Sequence, residues 1–145
     1  MFIYSPDQVI ITLNGLPLTG KAEDEFLTIT RAEDDTTISI GADGEAAVAR
    51  NKNDSAQITI NLMASSAGND IMQAAYAAYK AIGAVSVIMI KDLNGRSLFL
   101  AERAVPVKFP DVSFAKSQGS ISWTWVTDRL VANLGGANLS PVVPV

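Results

Sequence analysis

Apolar and polar residues alternate at a period of two along most of the chain, and the pattern gives way once to a longer period. Gln57 to Met63 sets Ile58, Ile60 and Leu62 on one side and Thr59 and Asn61 on the other, as a half-buried strand requires. Ser65-Ser66-Ala67-Gly68-Asn69-Asp70 stops that strand and offers helix-starting residues, with Asp70 set to meet the positive end of a helix dipole. Beyond it Ile71, Ala75, Ala78, Tyr79 and Ile82 recur at three- and four-residue steps and so share one helical face. The spacing predicts one short helix over about Asn69 to Ile82, closed by Gly83 in a left-handed conformation. Val85 to Ile90 is a β-branched run, and Asp92-Leu93-Asn94-Gly95 turns it into a strand from Ser97 to Ala101.

The same reading predicts strands on either side of this unit. Asp7 to Leu13 carries Val9, Ile11 and Leu13 on one face, Asn14-Gly15 turns, and Leu16 to Thr19 follows with Pro17 favouring an edge. After an acidic loop from Lys21 to Glu25 comes a strand from Phe26 to Arg31, with Phe26 inward and Leu27 or Ile29 beside it. Arg103 to Phe109 alternates Val105, Val107 and Phe109, with Pro106 again favouring an edge. Ser120 to Leu130 is the clearest strand, with Ile121, Trp123 and Trp125 on one face. Two indoles at that spacing are most simply packing residues. Stacking surfaces for a sugar or a base are the minority reading.

Thr36 to Arg50 differs from the rest. It reads as a long β-hairpin around Gly41-Ala42-Asp43-Gly44, built from small, polar and β-branched residues with no large aromatic to anchor it. Two readings stay open: a mobile surface hairpin, or an arm that orders only against a neighbouring subunit. With nine or ten strands, one helix, no repeat and no linker, the expected fold is mainly β. It is a single antiparallel sandwich or barrel over residues 1–145, capped by one short helix and carrying that protruding hairpin.

Composition narrows the function. The 145 residues include no Cys and no His, which removes disulfides, thiolate chemistry, Cys/His zinc sites and every imidazole-based triad. No phosphate-binding, dinucleotide, zinc-protease, nucleophile-elbow or EF-hand motif is present, so no catalytic residue, metal or cofactor is expected. The acids at Glu23 to Glu25 and Glu33 to Asp35 form pairs of the kind glycoside hydrolysis uses. They lie in loop-like runs without apolar neighbours to raise a pKa. Apolar runs fall short of a membrane span. The start from Met1 to Pro6 lacks a basic region and a long apolar segment, so synthesis in the cytoplasm without export is expected.

Charge is unevenly placed. From Ala22 to Glu45 eight acids (Glu23, Asp24, Glu25, Glu33, Asp34, Asp35, Asp43, Glu45) face one base, Arg31, for a net of −7. The remainder, seven acids and ten bases, carries +3. Such asymmetry suits a solvated face, or a head and a tail that attract each other in an assembly. The bases are scattered singly, so no cluster grips nucleic acid.

The ordered set of features resembles a bacteriophage tail tube protein, in particular the small tube subunits of contractile-tailed phages. It begins with the Asn14-Gly15 turn, then Arg31-Ala32-Glu33-Asp34-Asp35 entering the Gly41 to Gly44 hairpin, then Ile58 to Met63 running through Ala64 to Asp70 into a short helix. Asp92 to Gly95, the Trp123-Thr124-Trp125 strand and the Gly135-Gly136-Ala137-Asn138 end complete it, so the likeness covers most of Val9 to Asn138. The resemblance implies a structural, non-enzymatic virion protein, made in the host cytoplasm, whose hexameric rings stack into a tail tube for delivering DNA to the host. It implies a sheath protein outside, a tape measure protein and DNA inside without specific binding, and no membrane partner. The hairpin (Thr36, Ile38, Ile40, Asp43, Ala46, Val48, Arg50) and the terminal segments 1–6 and 134–145 would bridge stacked rings. Glu23, Asp24, Glu25, Glu33, Asp34 and Asp35 would lie near the lumen or a ring-to-ring contact. The alternatives are a tube subunit of a phage-derived contractile particle or type VI secretion system, and, from a different class, a carbohydrate-binding β-sandwich that stacks a sugar on Trp123 and Trp125.

Overall fold

A computed structural model of the chain describes residues 9–21, 26–92, 97–112 and 119–135. Strands β1 (Val9–Leu13), β2 (Leu16–Pro17), β3 (Leu27–Arg31), β4 (Thr36–Ile40), β5 (Ala46–Arg50) and β6 (Ala56–Met63) precede helix α1 (Gly68–Ile82). Strands β7 (Ser86–Asp92), β8 (Leu98–Pro106), β9 (Ser120–Thr127) and β10 (Leu130–Asn133) follow it. All pairings are antiparallel. One sheet runs in the order β2-β1-β7-β8-β9-β6-β3 with β10 also on β8, and β4 and β5 form a separate two-stranded sheet.

The inner face follows from parity. β6 and β9 pair without a slip from Ala56 opposite Thr127 to Met63 opposite Ser120, which aligns Ile58 with Trp125, Ile60 with Trp123 and Leu62 with Ile121. These side chains join Ile11, Leu13, Ile88, Ile90, Ala101 and Ala104 in one buried cluster. Strands from opposite ends of the sheet share that core, so the sheet is curled into a barrel-like shell. Asn14 and Gly15 both have positive φ, as the two-residue turn between β1 and β2 demands.

The chain draws the two sheet margins together within four residues. Leu18 N–H donates to Ile11 O of β1 (2.8 Å), and Met63 N–H of β6 donates to Gly20 O (2.7 Å). Two residues of extended chain reach at most about 7 Å, so the margins are close at this end. Lys21 bridges Leu62, and its ammonium donates to Val9 O.

Helix α1 caps the shell. Ser66 ties its start to this tether, the hydroxyl donating to Thr19 O and accepting from Gly68 N–H. Asn69 staples the first turn, donating to Met63 O and accepting from Trp123 Nε1–H, each at 3.0 Å. Phe109 stands edge-on to both Tyr76 and Trp123, joining helix to sheet. Gly83 ends the helix with φ 71°, as expected.

The structure corrects three expectations. Ala75 is buried and Ile71 packs against the core as read in the sequence, but Gly68 and Met72 complete the buried face and Ile82 is 81% exposed, so that face is turned toward Met72 and stops short of the helix end. Ser97–Ala101 and Arg103–Phe109 are one strand, β8, ending at Pro106, and Phe109 leaves the sheet to pack on the helix. Ser120–Leu130 is β9 followed by the start of β10. Asp128 and Arg129 interrupt it, yet pairing with β8 resumes in register: Ala104 faces Thr127 and Ala101 faces Leu130. In that gap Arg103 reaches Asp128 through Nη2 (2.8 Å) and Nε (3.3 Å). The turn at 93–96 lies outside the described residues; Asp92 N–H donates to Ser97 O just before it.

Gly20 combines φ +72° with a position where a Cβ would lie 2.5 Å from Ser66 Cβ. Gly20→Ala should therefore lower stability by about 1–3 kcal/mol, read as a fall in Tm by circular dichroism. An unchanged Tm would show that the tether does not hold the margins together.

Candidate functional site

The hairpin expected from Thr36 to Arg50 forms, and it leaves the shell. Register places Thr36 opposite Arg50, Ile38 opposite Val48 and Ile40 opposite Ala46. By strand parity these six share one face, and Thr37, Ser39, Ala47 and Ala49 share the other. All ten strand residues are exposed, with Ile38 at 62%, Ile40 at 72% and Val48 at 63%. Adjacent exposed branched side chains give this face an apolar patch. Asp43, the remaining hairpin residue singled out in the sequence, shapes the tip instead. Its carboxylate accepts Glu45 N–H, and Gly44 turns with φ +85°.

The arm is free along its length but held at its base. Asn51 N–H donates to Asp35 O at 2.8 Å. A ladder of side-chain turns follows, with Asn53 N–H on Asn51 Oδ1 and Ser55 N–H on Asn53 Oδ1, each at 3.0 Å. Arg31 reaches across to Asp54 Oδ1 (3.4 Å), and Asp54 O accepts Leu130 N–H, which fixes the root to β10. Asn51 Nδ2 donates to Glu33 Oε2 at 2.5 Å. This bond first, and the one from Asn53 second, hold the Glu33 carboxyl below the usual glutamate range.

Among the acids named from sequence, Glu33, Asp34 and Asp35 are exposed at the arm's root, and Glu23, Asp24 and Glu25 lie outside the described residues. So do segment 1–6 and residues 136–145, while Leu134 is 83% exposed. Trp123 and Trp125 are 3% and 0% exposed. The sugar-stacking alternative therefore has no platform.

Two further surfaces escaped the sequence reading. On the outside of β1, β7, β8 and β10, Val87, Met89, Leu98 and Val131 are exposed, and Met89, Leu100 and Val131 form a cross-strand row. The signal was the run Val85 to Ile90, apolar in both parities of its strand except at Ser86. On the outside of β3, β6 and β9 register aligns Thr28, Thr59 and Thr124. Beside them Thr30 meets Gln57, and Ser122 donates to Asn61 Oδ1 at 2.5 Å. Both sheet margins, β2 and β3, end without a further strand among the described residues.

Comparison with known proteins gives these surfaces a context. The sequence profile of the family described as Bacteriophage PhiTE tail tube protein matches residues 16–135. The chain is 30% identical to Structural protein ORF10 of Pseudomonas phage KPP10 over 149 residues, covering 95% of this chain and 86% of that protein. Among solved structures it is similar to a chain of the sheath/tube terminator of the extracellular contractile injection system PVC, in its extended state. The TM-score is 0.62 at 12% identity, with 92% and 99% of the two chains covered. A chain of the PVC sheath–tube complex aligns with a TM-score of 0.60, again at 12% identity, covering 89% and 90%. At such identities these two likenesses concern the fold.

The Glu33 clamp has a pH signature. A carboxyl whose folded pKa is lowered contributes stability above its unfolded value of about 4.5, and that contribution is lost as pH falls through the lower folded value. Amide protection in the arm, taken relative to the intrinsic exchange rate at each pH, should hold as pH falls to 4.5 and drop only below it. Asn51→Ala should move that onset upward, and an onset that stays put would deny the clamp its role.

Proposed function

The chain belongs to the Bacteriophage PhiTE tail tube protein family, and from that premise we propose that it is the repeating subunit of a phage tail tube. Six copies close a ring, rings stack, and DNA passes down the bore to the host. The role is structural, in the virion tail, after synthesis in the host cytoplasm. The whole chain, 1–145, acts as one tube-building domain.

The observation that carries this reading is the arm. Ile38, Ile40 and Val48 are uncovered on one face of a hairpin whose root is fixed by Asn51, Asn53 and Arg31. A shaped but uncovered apolar hairpin is costly on a lone molecule and useful where an identical neighbour buries it. Thr36, Ile38, Ile40, Ala46, Val48 and Arg50 then meet the adjacent ring, with Asp43 at the leading tip. Glu33, Asp34 and Asp35 stand at that same ring-to-ring contact, and Glu23, Asp24 and Glu25 near it or the lumen. The terminal segments 1–6 and 134–145 add to the bridge. Within a ring, the open margins at β2 and β3 pair with neighbouring copies. A sheath protein grips the outside, and a tape measure protein occupies the bore before DNA does. A net charge of −4 without a basic cluster suits a conduit that must not retain phosphate. The likeness in fold to chains from a contractile injection system keeps a tube subunit of such a particle as the second reading.

Negative-stain electron microscopy of the concentrated protein should show rings or striated tubes. A species that light scattering finds monomeric at every concentration would overturn the proposal. Deleting Thr36–Arg50 should leave the far-UV spectrum nearly unchanged while abolishing tubes, and a lost fold would show that the arm belongs to the core.

A further inference from the structure

The shell has two outer faces of opposite character. The face of β1, β7, β8 and β10 presents Val87, Met89, Leu98 and Val131, a largely apolar surface with the exposed Lys91 opposite Leu98, and such a patch favours cover by protein. The face of β3, β6 and β9 presents a central threonine row, Thr28, Thr59 and Thr124, flanked by Gln57 and by the bonded pair Asn61 and Ser122. Met63 and Val126 are the apolar members of this second face, and both are half-buried. No outward position within these three strands is charged, and the paired Arg103 and Asp128 stand at the border of the face, where β9 ends against β8. Arg31, at the end of β3, has the inward parity of Leu27 and Ile29 and is tied to Asp54 at the rim.

We propose that the hydroxyl and amide face of β3, β6 and β9 is the wall of the bore, and that DNA slides past it because it is uncharged. The proposal rests on the tube reading above. A tube wall has a side that stays wet and sides that are buried against protein. Hydroxyl and amide groups are satisfied by water, whereas the valine and methionine face is not. The wet face also ends at β3, a margin without a further strand among the described residues, so a neighbouring copy could continue it around a ring. Affinity for duplex DNA comes chiefly from Lys and Arg on phosphates, each contact releasing counter-ions. A wall without such side chains offers a passing backbone no foothold. Glu33, Asp34 and Asp35 sit at the arm's root instead, so these three acids lie where subunits stack and the face of β3, β6 and β9 is neutral.

The chain contains no Cys, so single cysteines report cleanly. Thr59→Cys and Val131→Cys proteins would be assembled into tubes, checked by electron microscopy, and treated with a small maleimide or one carried on a polymer too large for the bore. On tubes of this chain alone, Cys at 59 should take the small reagent and lose labelling by the large one, while Cys at 131, on the outer face left uncovered without a sheath, takes both. Dispersed subunits should take both reagents at both sites. Labelling of site 59 by the large reagent on tubes, or by neither reagent, overturns the assignment while leaving the tube reading in place. Failure of the unmodified chain to form tubes removes both readings. For the neutral character, short duplex DNA should leave wild-type tubes freely at low salt and be retained by Thr59→Lys tubes until salt is raised. Salt-sensitive retention by wild-type tubes would overturn that half of the proposal.

Discussion

The structure depends on the unbroken register between β6 and β9. Eight consecutive residue pairs fix which side chains point inward, and a slip of one would move either both indoles of β9 or Ile58, Ile60 and Leu62 of β6 into water. Everything else is hung from that pair: β3 on one side, β8 on the other, and the helix through Asn69 on Trp123. One parity supplies the core and the other supplies an outer face, so packing and surface chemistry are decided by a single choice of register.

That logic explains what could be read from the chain alone. Strands with strict alternation, such as Ile58 to Leu62 or Ile121 to Trp125, announce both their type and their buried side. The turn at Asn14-Gly15 and the helix end at Gly83 were legible because they need backbone conformations that few residues adopt. Part of the helix face was misjudged because alanines dominate it, and with so little apolar bulk Met72 is buried while Ile82, in the last turn, is exposed. The joining of Ser97–Ala101 to Arg103–Phe109 was hidden at Glu102, the one residue between the two expected strands. Arg103 in fact pairs across the strand with Asp128. That same cross-strand contact marks where β9 passes into β10.

The surfaces beyond the arm were harder to read for a different reason. A sequence shows that Val87 and Met89 are apolar, but only the sheet order places them beside Leu100 and Val131 on one outward face. The threonine row likewise draws one residue from each of three strands separated by up to 96 positions in the chain. Such patches exist only once long-range pairing is known. The arm was the opposite case, because its whole face arises from one local hairpin.

The asparagine ladder at the root of that hairpin has a kinetic meaning. A binding segment that is limp before encounter must surrender conformational freedom at the moment of contact, which weakens each collision. Here Asn51, Asn53 and Ser55 settle the take-off angle during folding of the single chain. In the proposed tube, recruitment of each new copy would start from a part already cast in its final form.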